Sequence, residues 1–454
     1  MSQNVITRNE SPTAALRKVK WGVMVGTALE WFDFYLYASM AAVILGKVFF
    51  PEADSATSTL ASLATFAVGF IVRPLGGVVL GYVGDRVGRK YVLTLTLVLM
   101  GLSTGLIGLI PSYAAIGVMA PVLLVLLRLL QGVAAGAEAS TAMVMAYEHA
   151  DDASRARLMA WPALGSSVGL LAASLTVTAL TSFSQDVVLS WGWRVPFIAS
   201  FVLAAIGLWV RRQVPETPEF ERLSGQQNAG EKPRITRDLI RSNLLGLISV
   251  LAVTGGYLGA SYTFKTFSLS YLTTFRGVPE NVGTFGIVLA SAVALVTIPL
   301  AGRLTDRFGF KKVMVIGSAA MALMAFPFFR LLDTGRPALI WTGLIICSGI
   351  IIPMMLVATS TFMAAQFPPH VRSSGVGAAR EIAAAFSGGL VPLAALSMVT
   401  MSKNHTSWGV SLLFIAAAAL VVLGAVLDQS RRASKQQELV GEHGTVAAEA
   451  PGRA

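Results

Sequence analysis

The chain has 454 residues, of which 54% are hydrophobic and only 13% charged, with a mean hydropathy of +0.68. So little charge cannot cover a soluble protein of this length, and a soluble globular fold is excluded. The net charge of +11 would suggest a nucleic-acid binder in a soluble chain; here it reads as the positive-inside bias of membrane helices, and no nucleic-acid partner is expected.

Taken in chain order, residues 1–20 are polar and basic and lack the apolar core and small-residue cleavage site of a signal peptide, so no cleaved targeting segment is expected. Twelve apolar spans follow, centred near residues 33, 70, 100, 130, 170, 203, 257, 291, 322, 352, 385 and 418. The third, "YVLTLTLVLMGLSTGLIGLI", holds no charge over a length sufficient to cross a bilayer. A membrane barrel would show short alternating segments instead, so the fold class is an all-α membrane protein. A polar stretch splits the spans six and six. The expected organisation is a first half over 1–210, a central linker over 211–241, a second half over 242–430 and a disordered tail over 431–454. With both termini cytoplasmic, 25 of the 35 Lys and Arg fall on the cytoplasmic side and 6 outside, which decides the expected orientation.

Four basic residues remain within spans: Arg73, Arg128, Lys265 and Arg380. Four acids face them: Glu30, Asp33, Glu138 and Glu381. Ionisable groups in lipid are expensive and are expected to line a wet cavity or meet a partner. The single cysteine, Cys347, forms no internal disulfide, and nothing suggests a metal, a cofactor or an enzyme site. The four histidines lie at span ends or in the tail and are poor proton relays.

Two loops repeat at half the chain length. "GYVGDRVGRK" (81–90) joins spans two and three, and "GRLTDRFGFKK" (302–312) joins spans eight and nine. Asp85, Arg86 and Arg89 in the first copy, and Asp306 and Arg307 in the second, are expected to form a gating latch. A parallel repeat of six-helix units is the architecture of rocker-type secondary transporters.

These loops resemble the signature of the major facilitator superfamily. "GTALEWFDFYLY" (26–37), "FAVGFIVRPLGGVVLGYVGDRVGRK" (66–90), "RLLQGVAAGAE" (128–138), "WGWRVPFIASF…RRQVPETPEF" (191–220) and "FPPHVRSSGVG" (367–377) are similar to its metabolite:proton symporter family. The resemblance implies twelve helices in two halves, alternating access, and import of a small metabolite with protons across the cytoplasmic membrane. Expected partners are an organic acid, protons and the lipid bilayer, with the chain a monomer. Helices one and four line the cavity in such a fold, so Asp33 is expected to carry the proton with Arg128 as its cationic partner and Glu30 one turn away. Substrate contacts are expected from Lys265, Arg380, Tyr262, Tyr37, Gln131 and Arg73. Glu138 is expected near the first basic loop, and Glu148 with Arg155 and Arg157 in the same charge network.

The sequence departs from the family pattern at "YTFKTF" and "GVGAAREIAAAF", which place Lys265, Arg380 and Glu381 in helices that line the cavity. Two readings stay open: Lys265 and Arg380 clamp a mono- or dicarboxylate, or Glu381 bridges to one of them. Uptake of a zwitterionic solute such as proline or betaine, relying on aromatic residues, is the alternative function.

Overall fold

In the computed structural model, which describes residues 12–51, 55–226, 243–402 and 406–430, every long element is helical. Lipid offers no water to backbone amides, so an apolar run must satisfy its own hydrogen bonds as a helix. The first half holds α1 (Pro12–Met40), α2 (Ser55–Val87), α3 (Arg89–Leu109), α4 (Met119–Glu148), α5 (Arg155–Thr181) and α6 (Arg194–Arg212). The second holds α7 (Leu244–Phe275), α8 (Glu280–Phe308), α9 (Phe310–Asp333), α10 (Pro337–Ala365), α11 (Arg372–Met401) and α12 (Trp408–Val426).

Eleven of these are apolar and long enough to cross a membrane by composition alone. The twelfth is α1, whose hydropathy is lowered by Arg17, Lys18 and Lys20 and by Glu30 and Asp33. Trp191, Trp209 and Trp408 are exposed near helix ends, the usual depth for interfacial tryptophan. The expected linker begins two residues inside α6 and continues into a short helix, Pro218–Gln226. Residues 227–242 and the expected tail, 431–454, lie outside the described residues.

The packing repeats between halves. In the first, α1 packs on α5 and α6, α2 on α4, and α3 on α6. In the second, α7 packs on α11 and α12, α8 on α10, and α9 on α12. The halves meet along α2 with α11 and α5 with α8, which are the same pair of positions exchanged. Gly77 and Gly377 make the first contact possible. A Cβ on Gly377 would sit 2.4 Å from the Gly77 carbonyl oxygen, so any larger residue would push the helices apart.

Candidate functional site

Two small adjacent chambers, each of about 20 Å³, roughly the space of one water molecule, occupy the middle of the bundle. One lies between α1, α2 and α4 and is lined by Glu30, Phe34, Gly69, Arg73, Arg128 and Gln131 among others. The other lies between the halves and is lined by Glu30, Trp31, Phe34, Arg73, Tyr262 and Arg380 among others. Glu30, Phe34 and Arg73 form their shared wall.

That wall belongs to a chain of four buried charges. Arg73 donates from Nη2 to Glu30 Oε1 at 3.0 Å and from Nε to Glu381 Oε2 at 2.8 Å. Arg380 donates from Nη1 to Glu381 Oε1. Exposure is 2% for Glu30, 7% for Arg73, 7% for Arg380 and 0% for Glu381. Buried this deeply, each charge needs its partner, and removing one costs about 3–5 kcal/mol. The chain joins α1, α2 and α11, so it spans both halves, and its net charge with both acids ionised is zero.

Asp33 and Arg128, expected to pair, make no ion pair among the described residues. Asp33 accepts from Thr104 Oγ1 at 2.7 Å and from Ser200 Oγ at 3.0 Å. Arg128 lies with its guanidinium carbon 3.8 Å from the centre of the Tyr37 ring and donates to Gln131 Oε1. Gln131 Nε2 donates to Thr104 Oγ1 at 2.8 Å. The two charges are thus linked through Gln131 and Thr104, a four-member relay rather than a contact. Tyr37 has no exposed surface and bonds Thr65 at 2.5 Å, so it supports Arg128 from beneath instead of lining a chamber.

Lys265 departs most from expectation. It lies on a widened π-helical turn of α7, Thr263–Phe267, and lines neither chamber. Of the two bridges weighed for Glu381, the one to Arg380 forms and the one to Lys265 does not, because Arg380 and Arg73 take both Glu381 oxygens. Glu138 is also placed differently. It pairs with Arg211 at the end of α6 and accepts from Thr96 at 2.6 Å, rather than pairing with a basic residue of the first loop. Arg155 pairs with Asp152 and Arg157 with Asp306, so neither joins Glu148.

At the end of the bundle that carries the repeated loops, the halves are locked together. Gly88 (φ 124°) and Gly309 (φ 86°) turn the chain from one helix to the next in a conformation that other residues rarely adopt. The aspartate before each turn caps a helix of the opposite half. Asp85 accepts the amides of Ser373 at 3.1 Å and Ser374 at 2.8 Å, at the start of α11. Asp306 accepts the amides of Ala156 at 2.7 Å and Arg157 at 3.2 Å, at the start of α5. A carboxylate suits the positive end of a helix.

Arg89 backs the first latch from a fully buried position. It bonds the Pro369 carbonyl oxygen at 2.6 Å and pairs with Asp85 and Glu148, while Glu148 also pairs with Arg372 at 2.8 Å. Glu216, in the segment after α6, accepts the amides of Arg89 and Lys90 and so caps α3. Arg86 is exposed beside the Tyr82 ring, and Arg307 lies beside Phe308. Sequence reasoning had not singled out Arg211, Glu216, Thr104, Ser200 or Arg372 as partners. Arg211 and Glu216 lie in "RRQVPE" and Arg372 in "FPPHVRSSGVG", two stretches that carry the family resemblance.

Two packed six-helix halves, a latch at one end and charged chambers at mid-depth define a secondary transporter. The sequence matches the Major Facilitator Superfamily model over residues 23–392. It is 34% identical to the shikimate transporter of Escherichia coli K12 over 435 residues, covering 94% of this chain and 99% of that one. It is 34% identical to the proline/betaine transporter of Salmonella typhimurium LT2 over 447 residues, covering 94% and 89%. It is 36% identical to the inner membrane metabolite transport protein YhjE of E. coli K12, covering 93% and 96%. Among solved structures, the proton:xylose symporter XylE bound to 6-bromo-6-deoxy-D-glucose superposes with a TM-score of 0.73 at 17% identity, covering 92% of this chain and 95% of that one. The chain belongs to the major facilitator superfamily, within its metabolite:proton symporter family, and is a transporter rather than an enzyme.

Proposed function

We propose that this transporter imports a small organic anion together with a proton across the cytoplasmic membrane by alternating access. The observation that carries the reading is the neutral charge chain Glu30, Arg73, Glu381 and Arg380 on the chamber wall. A carboxylate entering such a chamber adds an uncompensated negative charge in a low-dielectric site, which is unfavourable. A proton bound to one of the acids leaves one arginine in excess, and its planar fork suits a carboxylate. Anion and proton together keep the chamber neutral, so each favours the other's binding. Lys265, one turn beyond Tyr262 on α7, serves in this reading as a cation met by the anion on its approach.

The latched end is cytoplasmic in this reading, as the clustering of Lys and Arg supports. The halves 1–210 and 242–430 rock about the chambers, joined by the 211–241 linker, and the chain works as a monomer.

The aromatic wall favours a second reading. Trp31, Phe34 and Tyr262 line the inter-half chamber, with Phe70 6.3 Å from Tyr262 ring to ring. Such faces attract quaternary ammonium groups, and a zwitterion needs no net charge from the site. Proteoliposome uptake of labelled shikimate and other carboxylates, set against betaine, decides between the two. Accumulation of a carboxylate that requires an inward proton gradient supports the first. Accumulation of betaine without any carboxylate overturns it.

A further inference from the structure

Three buried carboxylates lie at mid-depth beside the chambers, and they differ in how fully their oxygens are satisfied. Glu381 accepts one arginine on each oxygen. Asp33 accepts one hydroxyl on each oxygen. Glu30 accepts Arg73 on Oε1, but its Oε2 is buried with no hydrogen-bond partner among the described residues. Glu30 is 2% exposed and is the one acid of the three on the wall of both chambers.

An ionised oxygen with no donor retains its full desolvation penalty, which is larger for a charged group than for a neutral one. A proton on that oxygen removes the charge and turns the group into a donor aimed at the chambers. Asp33 gains nothing comparable. Its Thr104 partner accepts from Gln131 and donates onward, so the relay from Arg128 ends on Asp33 Oδ2, where a proton would oppose it, and Oδ1 already accepts from Ser200.

The groups facing Glu30 from the packed helices suit a switch. They are Arg73 on α2, Arg380 on α11 with Glu381 beside it, Tyr262 on α7 with Tyr257 next to it and to Arg380, and Glu138 on α4. Arg128 on α4 shares its first chamber, and Arg211 on α6 lies one turn away beside Gly26, already paired with Glu138. Beyond Arg157, α5 contributes no ionisable side chain, and those of α3 lie in its first turn.

We infer that Glu30 Oε2 is the proton-binding site of the transport cycle, and that Asp33 is a positioning residue that stays ionised. The proton on Glu30 breaks the charge pairing with Arg73, whose outer Nη2 edge turns to the carboxylate of the entering anion, and Glu30 O–H donates to the same anion. This rests on the proton-coupled anion reading above.

Infrared difference spectroscopy of the purified, full-length transporter during a pH titration tests it without any substrate. The protonated-carboxyl band that grows on acidification is expected to be lost in Glu30→Gln, shifted in Glu30→Asp and retained in Asp33→Asn. Size-exclusion profiles and helical circular dichroism establish that each variant is folded, and Glu30→Asp keeps the test open if Glu30→Gln is not. A band retained in Glu30→Gln, or lost in Asp33→Asn, overturns the assignment. Absence of carboxylate uptake by a wild-type protein whose Glu30 band is present overturns the transport reading alone and leaves the proton site standing.

Discussion

The two inter-half latches have the same backbone plan and unequal strength. Asp85 and Asp306 each follow the same helix position, precede a left-handed glycine, and cap the fifth helix of the opposite half. Around Asp85 the charges are buried and cross-linked: Arg89 is fully buried and joins Asp85, Glu148 and the Pro369 carbonyl, and Arg372 closes the network. Around Asp306 the partner is Arg157, whose side chain is 55% exposed. The second copy has Phe310 where the first has Arg89, and its ring packs on Phe362 within the same half. One substitution in a repeat therefore turns a cross-half charge network into a local aromatic contact. Symmetric topology supplies two latches, and side-chain identity decides which one holds the halves shut.

The comparison can be broken most forcefully at Asp85. Asp85→Asn leaves buried Arg89 and Arg372 to share Glu148 alone, with one positive charge uncompensated, and weakens the cap on α11, a loss of about 3–5 kcal/mol. That exceeds a gap of a few kcal/mol between two transporter states, so the latched end should open and uptake should fall more than tenfold. Spin labels on cysteines introduced beside Gly88 and Arg372, in a Cys347→Ala background, would report the increased separation. An unchanged distance would show that the two latches are equivalent after all.

A smaller effect is expected at Asp306. Asp306→Asn keeps an amide acceptor at the cap and loses a half-exposed ion pair, about 1 kcal/mol. Uptake should fall roughly two- to fivefold, and the label distance across α2 and α11 should not move. A loss equal to that of Asp85→Asn would overturn the ranking.

The smallest effect belongs to a clip found in the second copy. Lys311 pairs with Asp428 at 2.5 Å, just beyond α12. Burial acts to raise the Asp428 carboxyl, but hydrogen bonds from Lys311, Gln366 and Ser430 outweigh it and hold the group below the usual carboxylate range. A depressed folded-state value stabilises above the unfolded value and is lost as pH falls through the folded one. Acidification below about pH 4 should therefore remove this contribution. Because Lys311 is half exposed, it amounts to about 0.5 kcal/mol or less. Thermal melting of wild type and Lys311→Ala at neutral and acid pH checks it: the small difference at neutral pH should vanish in acid.

The sequence alone determined the class of the molecule. Low charge and twelve long apolar runs leave helices as the way to satisfy the backbone in lipid, and a duplicated loop implies a duplicated half. It also singled out the charges that matter, since Glu30, Asp33, Arg73, Arg128, Arg380 and Glu381 stand out in apolar surroundings. Their pairing was not legible. Helical spacing places Asp33 and Glu30 on one face, yet Asp33 meets hydroxyls from α3 and α6 while Glu30 meets Arg73 of α2. Thr104 and Ser200 carry no mark in a sequence where serine and threonine abound, and Arg211 looked like part of a linker until α6 carried it to Glu138. Lys265 drew attention as the strangest charge, but a mid-span position does not say which side of a helix faces the chambers. Only the tertiary packing decided that, because an ion pair depends on a few ångströms between side chains from helices distant in sequence, and no local pattern encodes such a distance.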